Sequence, residues 1–216
     1  MIDERKAKSG SSEGPMQMMV AQEERQAAIQ RATRETNVTL YMNIDTSGTI
    51  KVKTGLGFLD HMIETLAFYA GMSLTLTVKG DLGVDDHHTS EDCAIVMGEA
   101  LRSCMGKKEG LTRFGYAYAP MDEALARSVV DLSGRPYASI DLRLKREMVG
   151  QWATENVDHF FRSLSTAAMA TVHVDVLRGE NDHHKIEGAF KALGLSLKEA
   201  LRQNGTGELL SVKGVL

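Results

Sequence analysis

Two related stretches dominate the sequence: Asp86-His-His-Thr-Ser-Glu91 (DHHTSE) and Asp182-His-His-Lys-Ile-Glu187 (DHHKIE). Each has the pattern D-H-H-x-x-E and leads into a segment with helical periodicity. On an α-helix each residue advances by about 100°, so adjacent histidines point in different directions and the Glu lies between them. Each His of a pair could therefore face a different metal ion. The two stretches together predict a two-metal site.

Other motifs recur in the same order and indicate an internal repeat. The pair Asp60 and His61 lies 26 residues before the first His pair, and Asp158 and His159 lie 24 residues before the second. A glycine follows each motif Glu by seven residues, at Gly98 and at Gly194. The sequence therefore predicts two fused copies of one unit, each of which brings metal ligands.

The composition is that of an ordinary globular protein. Its 216 residues are 43% hydrophobic, enough to form a core in one domain or in two fused half-domains. The net charge of −4 gives no general attraction to nucleic acid, so an anionic ligand needs a local basic cluster. Only two cysteines occur, and neither a long apolar run nor a signal sequence is visible. These features predict a cytoplasmic protein with no membrane or nucleic-acid partner.

Hydrophobic periodicity predicts an α+β fold with the order β-β-α-β-α in each half. Residues 1–30 are expected to be a flexible polar lead-in, with a short ordered segment near residues 23–30. The first half is predicted at residues 31–118, and the second half, with a C-terminal tail, at residues 119–216. Each half is expected to open with a hairpin, within residues 38–52 and 124–144. Residues 115–120 are predicted to connect the halves.

Six of the seven histidines occupy repeat-equivalent positions. With the two motif glutamates they make two sets of three His and one Glu. Four ligands leave two positions of an octahedral ion open for water or substrate, as in a catalytic site. This nitrogen and oxygen set suits Mn, Fe, Co, Ni or Zn. The predicted metal ligands are His61, His87, His88, Glu91, His159, His183, His184 and Glu187.

Neighbouring polar residues allow more than one interpretation. His173 lies in a strand without a repeat counterpart and is predicted to be structural. The aspartates before the ligand histidines could orient imidazoles or cap helices, and for Asp86 and Asp182 the sequence favours neither. Five residues could hold an anion such as phosphate, because Arg offers a planar fork and Lys a point charge. They are Arg113, Arg135, Lys191, Ser211 and Lys213.

Several motifs run in order from about Arg31 to the end of the chain. They include Gly57-Phe-Leu-Asp-His-Met62, Asp85-Asp-His-His-Thr89, Asp131-Leu-Ser-Gly-Arg-Pro136, His183-His184 with Glu187, and Ser211 with Lys213-Gly-Val-Leu216. Together they resemble the imidazoleglycerol-phosphate dehydratase family. One departure is Tyr69-Ala70, where the family commonly has His-Gly and that His contacts the substrate.

The resemblance implies a duplicated fold like ribosomal protein S5 domain 2, with four helices between two four-stranded sheets. It implies two manganese ions per active site and sites between the subunits of a homo-oligomeric 24-mer. One ion would take His61, His88, Glu91 and His184, and the other His87, His159, His183 and Glu187. Glu35 would contact the substrate. The phosphate and glycerol end would be held by Arg113, Arg135, Lys191, Ser211 and Lys213.

The implied reaction removes water from D-erythro-imidazole-glycerol phosphate to give imidazole-acetol phosphate in histidine biosynthesis. The proton to be lost has no adjacent carbonyl. The hypothesis is that metal on a ring nitrogen favours an imidazolate, which expels hydroxide to give a diazafulvene-like intermediate. Glu187 and Glu35 are the candidate catalytic bases. A non-catalytic metal-binding assembly and a two-metal hydrolase are the alternatives, and the assembly gives no role to the basic residues.

Overall fold

The computed structural model describes residues 24–214. The first half contains β1 (Gln26–Ala32), β2 (Thr36–Asn43), β3 (Ile50–Lys53), α1 (Gly57–Ala70), β4 (Ser73–Gly80) and α2 (His87–Met105). The second half contains β5 (Phe114–Met121), β6 (Ala124–Asp131), β7 (Tyr137–Asp141), β8 (Met148–Val149), β9 (Trp152–Ala153), α3 (Thr154–Ala168), β10 (Thr171–Arg178) and α4 (Asp182–Ala200). Apart from the short β8–β9 hairpin, the second half repeats the element order of the first.

Each half forms a mixed four-stranded sheet, in the order β1-β2-β4-β3 and β5-β6-β10-β7. The central strands β4 and β10 each pair antiparallel on one side and parallel on the other. The predicted hairpins are therefore wrong, because β4 lies between β2 and β3, and β10 lies between β6 and β7. The parallel pairing needs a long crossover, which α1 and α3 supply.

Two strands lie where the sequence predicted other structure. β1 overlaps the ordered segment expected near residues 23–30, but it is a strand of the first sheet and not part of a lead-in; only Ala27 of its residues is buried, so its alternation is weak. β5 occupies the expected connection, and the predicted boundary between residues 118 and 119 falls inside it. Its exposed positions are aromatic, such as Tyr116 at 74% exposed, which hides the polar alternation of a strand. The rest of the lead-in, residues 1–23, lies outside the described residues.

The helices form a layer between the two sheets, which confirms the predicted architecture. α1 and α2 pack on the first sheet, and α3 and α4 pack on the second. Across the layer α1 packs on α4 and α2 packs on α3. The core includes an aromatic cluster of Trp152, Phe160, Phe161 and Phe190. Within residues 24–214, no helix combines the length and apolar character that a membrane span requires.

The repeated glycines lie where helices from different halves touch. A Cβ at Gly98 of α2 would lie 2.7 Å from the Leu164 carbonyl oxygen of α3, and a Cβ at Gly194 of α4 would lie 2.7 Å from the Leu66 carbonyl oxygen of α1. Backbone atoms cannot move aside as a flexible side chain can. The two glycines therefore set how closely the helices approach.

We expect Gly98→Ala to lower the free energy of unfolding by about 2 kcal/mol, because it overpacks a rigid contact. Gly188→Ala is the matched control on α4, since a Cβ there would meet its nearest atom at 3.5 Å. The control gains helix propensity and should not be destabilised. Thermal unfolding at matched protein concentration measures both, and equal stability of the two variants would show that the close approach at Gly98 does not need a glycine.

Candidate metal centre

The first group of potential metal ligands joins α1 to α4. His61 comes from α1, while His183 and Glu187 lie one turn apart on α4. Their candidate ligand atoms all lie within 4.8 Å of one another. The Nε2 atoms of His61 and His183 are 3.3 and 3.1 Å from Oε2 of Glu187. Two imidazoles and a carboxylate thus converge on a single point.

The second group joins α2 to α3 and is the repeat-equivalent of the first. It consists of His87 and Glu91 on α2 with His159 on α3, again with candidate ligand atoms within 4.8 Å. Nε2 of His159 is 3.1 Å from Oε1 of Glu91, and the rings of His87 and His159 are 4.7 Å apart between centroids. In each group a His from one half meets a His and a Glu from the other half.

This pairing differs from the ligand division that the resemblance implied. Within one chain His61 lies with Glu187 rather than with Glu91, because α1 packs on α4 and not on α2. The implied division draws its ligands from more than one chain, so it stays a prediction beside these single-chain groups. The two histidines of each pair have different neighbours: His87 and His183 each belong to one of the groups, whereas His88 and His184 contact Asp81 and Glu123.

The second His of each pair, His88 or His184, belongs to neither group and is held by a carboxylate. Nδ1 of His88 is 3.1 Å from Asp81, and Nδ1 of His184 is 2.7 Å from Glu123. Because a carboxylate only accepts, Nδ1 donates its N–H, and Nε2 lies on the other side of the ring, 3.7 Å from Oε2 of Glu35 in His88 and 3.9 Å from Oδ2 of Asp122 in His184. The Nδ1 atom of His87 is likewise 2.8 Å from Oδ1 of Asn156.

Sequence reasoning missed these orienting partners. Asp81 and Glu123 lie outside the two D-H-H-x-x-E stretches, so no role followed from their spacing. Their hydrogen bonds change the electrostatics of the site. Asp81 raises the pKa of His88, and Glu123 raises the pKa of His184. The backbone N–H of Asn181 and the His184 ring together lower the pKa of Glu123 to about 2.

Glu187 remains ionised in spite of its burial. Burial raises the pKa of this carboxyl, but its ion pair with Lys191 and its hydrogen bonds to His61 and His183 outweigh burial and lower the pKa overall. Nζ of Lys191 lies 2.8 Å from Oε1 of Glu187. Both carboxylate oxygens are therefore engaged.

Asp86 and Asp182 fulfil neither of the roles that the sequence left open. Asp86 accepts the Ala153 N–H at 2.7 Å, and Asp182 accepts the N–H groups of Lys145 and Arg146 at 2.8 and 2.7 Å. They thus hold the two ends of one segment, residues 145–153, against the starts of α2 and α4.

The preceding residues satisfy the free N–H groups at the helix starts instead. Asp85 accepts the His87 N–H and Asn181 accepts the His183 N–H, each at 2.9 Å. The other two aspartates also bond elsewhere, Asp60 to Thr54 and Asp158 to Arg162. His87, His88 and His184 are therefore oriented by Asn156, Asp81 and Glu123 and not by the aspartates that precede the histidines.

The remaining predicted residues lie in two places. Glu35, between β1 and β2, has its Oε2 3.7 Å from Nε2 of His88. Arg113 forms a bidentate pair with Asp131 and donates to the Leu210 carbonyl of the tail at 2.6 Å. Arg135 approaches the same Asp131 at 4.0 Å. Arg113 thus ties the tail that carries Ser211 and Lys213 to the end of β6.

The fold and these groups define a class: a duplicated α+β protein with two clusters that could hold metal ions. The sequence model of the family described as imidazoleglycerol-phosphate dehydratase matches residues 54–197. A relative of that name from Lachancea kluyveri is 47% identical over 218 residues, covering 90% of this chain and 94% of the relative. One from Candida glabrata is 48% identical over 208 residues, covering 88% and 99%.

Solved structures agree with the sequence comparison. The imidazoleglycerol-phosphate dehydratase of Staphylococcus aureus has a TM-score of 0.75 and 40% identity, over 82% of this chain and 99% of that one. The enzyme from Pyrococcus furiosus has a TM-score of 0.75 and 38% identity, over 87% and 100%. The chain belongs to the imidazoleglycerol-phosphate dehydratase family. It is a hydro-lyase of histidine biosynthesis, as the resemblance predicted, and not a non-catalytic assembly protein or a hydrolase.

The start of α4 offers a stability test. Lys185 and Asp182 are 2% and 1% exposed and form a 2.7 Å ion pair, and Lys185 also donates to the Arg143 carbonyl. We expect Lys185→Met to lower the free energy of unfolding by about 3 kcal/mol, since it leaves a buried carboxylate without its counter-ion. Glu199→Gln, which breaks an exposed pair with Arg202, is the control. Chemical denaturation measures both, and equal stability of the two variants would mean that the buried pair matters no more than the exposed one.

Proposed function

We propose that each of the two groups holds one divalent ion during dehydration of imidazole-glycerol phosphate. The observation that carries the proposal is the convergence of two imidazoles and one carboxylate in each repeat-related group, within 4.8 Å. The donor set fits such an ion, because nitrogen and oxygen ligands without thiolates suit manganese and its neighbours, and three ligands leave positions open. When bound, an ion would supply positive charge that makes the substrate's imidazole ring easier to deprotonate.

The two histidines outside the metal groups, His88 and His184, support an active site shared between copies of the chain. His88 and His184 are held through Nδ1, and neither ring belongs to a metal group of its own chain. We infer that they complete metal groups, or bind substrate, in a neighbouring copy. Manganese as the ion, two ions per site, a 24-mer and a cytoplasmic location also belong to the proposal and rest on the family resemblance.

Glu35 is better placed than Glu187 to act as the base. The reaction must remove a C–H proton next to the carbon that loses its hydroxyl, and the resulting enol tautomerises to the ketone. Both oxygens of Glu187 are already engaged by Lys191 and two histidines. The Glu35 side chain is 53% exposed and lies beside His88, so it can reach a bound substrate.

The basic residues suit the phosphate end of the substrate. Lys191 adjoins the first metal group, and Arg113 and Arg135 gather around Asp131 beside the tail. Arginine forks and a lysine point charge are the usual phosphate partners. We infer that these three residues, with Ser211 and Lys213, hold the phosphate and glycerol end and so fix the ring between the ions.

A comparison of the neutral Gln variants should distinguish the roles of Glu35 and Glu187. We expect Glu35→Gln to lower kcat by about 10²- to 10³-fold with metal content unchanged, because it removes only the proton acceptor. Glu187→Gln should lose metal as well as turnover. Purified variants are incubated with imidazole-glycerol phosphate, the product is read as its enol absorbance in base, and metal is measured by elemental analysis. Normal turnover of Glu35→Gln would exclude it as the base.

Subunit mixing tests the shared site. His61→Ala and His88→Ala should each be inactive as pure assemblies, since each removes a ring that the site needs. If the two residues act in one site but come from different chains, co-assembled mixtures contain some sites with neither substitution. Activity should then reappear when the variants are unfolded and refolded together. Mixtures that stay inactive, beside an active wild-type refolding control, would contradict the shared site.

A further inference from the structure

The turn between β1 and β2, residues 33–36, carries Glu35 and is closed by local hydrogen bonds. The hydroxyl of Thr33 accepts the N–H groups of Glu35 and Thr36 at 3.1 and 2.9 Å. The Thr33 N–H donates to the Thr36 carbonyl at 2.8 Å. The backbone at Glu35 therefore has a defined conformation, although its side chain is exposed.

A buried carboxylate fastens this turn to the ligand helix α2. Asp92 is 6% exposed, and each of its two oxygens is bonded to a residue at the turn or beside it. One accepts from the hydroxyl of Thr36, which is itself 3% exposed, and the other accepts from Nε of Arg31 at 3.0 Å. Because both sides of the turn are held by one side chain, the turn cannot pivot about either strand alone.

Asp92 lies four residues beyond His88, so the anchor and the histidine are one turn apart on the same helix. Glu35 Oε2 lies 3.7 Å from Nε2 of His88, on the other side of the ring from the Nδ1 that Asp81 holds. The anchor therefore links the proposed base to the helix that carries its neighbouring ligand. It fixes where the backbone of Glu35 lies relative to that helix, while the Glu35 side chain itself stays exposed.

The second half shows what the equivalent turn does without this anchor. Glu123 directly precedes β6 as Glu35 directly precedes β2, but Glu123 bonds to Nδ1 of its own histidine, His184. Glycine, Gly188, follows the motif Glu where the first half has Asp92. In the second half, Glu123 therefore orients the His184 imidazole. In the first half, the Glu35 carboxylate lies beside Nε2 of His88, and the turn that carries it is bonded to Asp92.

We propose that Asp92, acting with Thr36 and Arg31, is a positioning group that holds Glu35 at the site for proton removal. The inference rests on the base role proposed for Glu35. Asp92 lies outside the metal groups, and its loss should lower turnover through the position of Glu35. Metal binding should not depend on it.

Thr36→Val tests the anchor, because it removes the hydroxyl donor while keeping the shape of the side chain. We expect kcat to fall by about 10- to 100-fold with metal content unchanged, since small displacements of a catalytic group have effects of this size. Thr36→Ser keeps the donor and should restore most of the turnover. Hydrogen exchange of the amides at residues 34–36 should be faster in Thr36→Val and unchanged in Thr36→Ser.

A double-mutant cycle separates positioning from general stability. In a Glu35→Gln background, Thr36→Val should cause no further loss, because both changes remove the same catalytic contribution. Losses that multiply would overturn this inference and leave the base role of Glu35 intact. Wild-type turnover of Glu35→Gln alone would overturn both. If Thr36→Val does not assemble, Arg31→Met removes the partner of the other Asp92 oxygen and enters the same cycle.

Discussion

The structure depends on the packing of helices across the two halves, α1 on α4 and α2 on α3. Each candidate metal group takes one His from one half and a His and a Glu from the other. Neither half could form a group alone. Gly98 and Gly194 allow the close approach that places these side chains within reach of one another. A change in the separation of the helices would therefore alter both groups, even far from their ligands.

The two halves have the same fold, but equivalent residues in them make different contacts. Glu123, in the turn between β5 and β6, orients His184, whereas Glu35, in the turn between β1 and β2, lies beside Nε2 of His88. Among the described elements, only the second half has the β8–β9 segment, which Asp86 and Asp182 hold against the starts of α2 and α4. The candidate metal ligands thus repeat in both halves, whereas the base proposed for the reaction, Glu35, and the residues proposed to position it belong to the first half and its helix α2. This suits a reaction that removes one proton and one hydroxyl.

The sequence was most informative where the signal is local. The six paired histidines and two glutamates stood out because their spacing is repeated within short motifs. Their grouping did not follow, since it depends on which helices pack together across the layer. The partners Asn156 and Glu123 lie 69 and 61 residues from the histidines they orient, so the spacing within a motif could not identify them. The predicted pairing of β2 with β3 and of β6 with β7 fails for the same reason, because the strands that separate them, β4 and β10, follow a helix in the sequence.

The most direct test of the two metal groups is anomalous scattering from crystals of the manganese-loaded enzyme. We expect two peaks per chain. One should lie among His61, His183 and Glu187, and the other among His87, Glu91 and His159. Peaks at only one group, or a peak that joins His61 to Glu91 of the same chain, would contradict the pairing of ligands across the two halves.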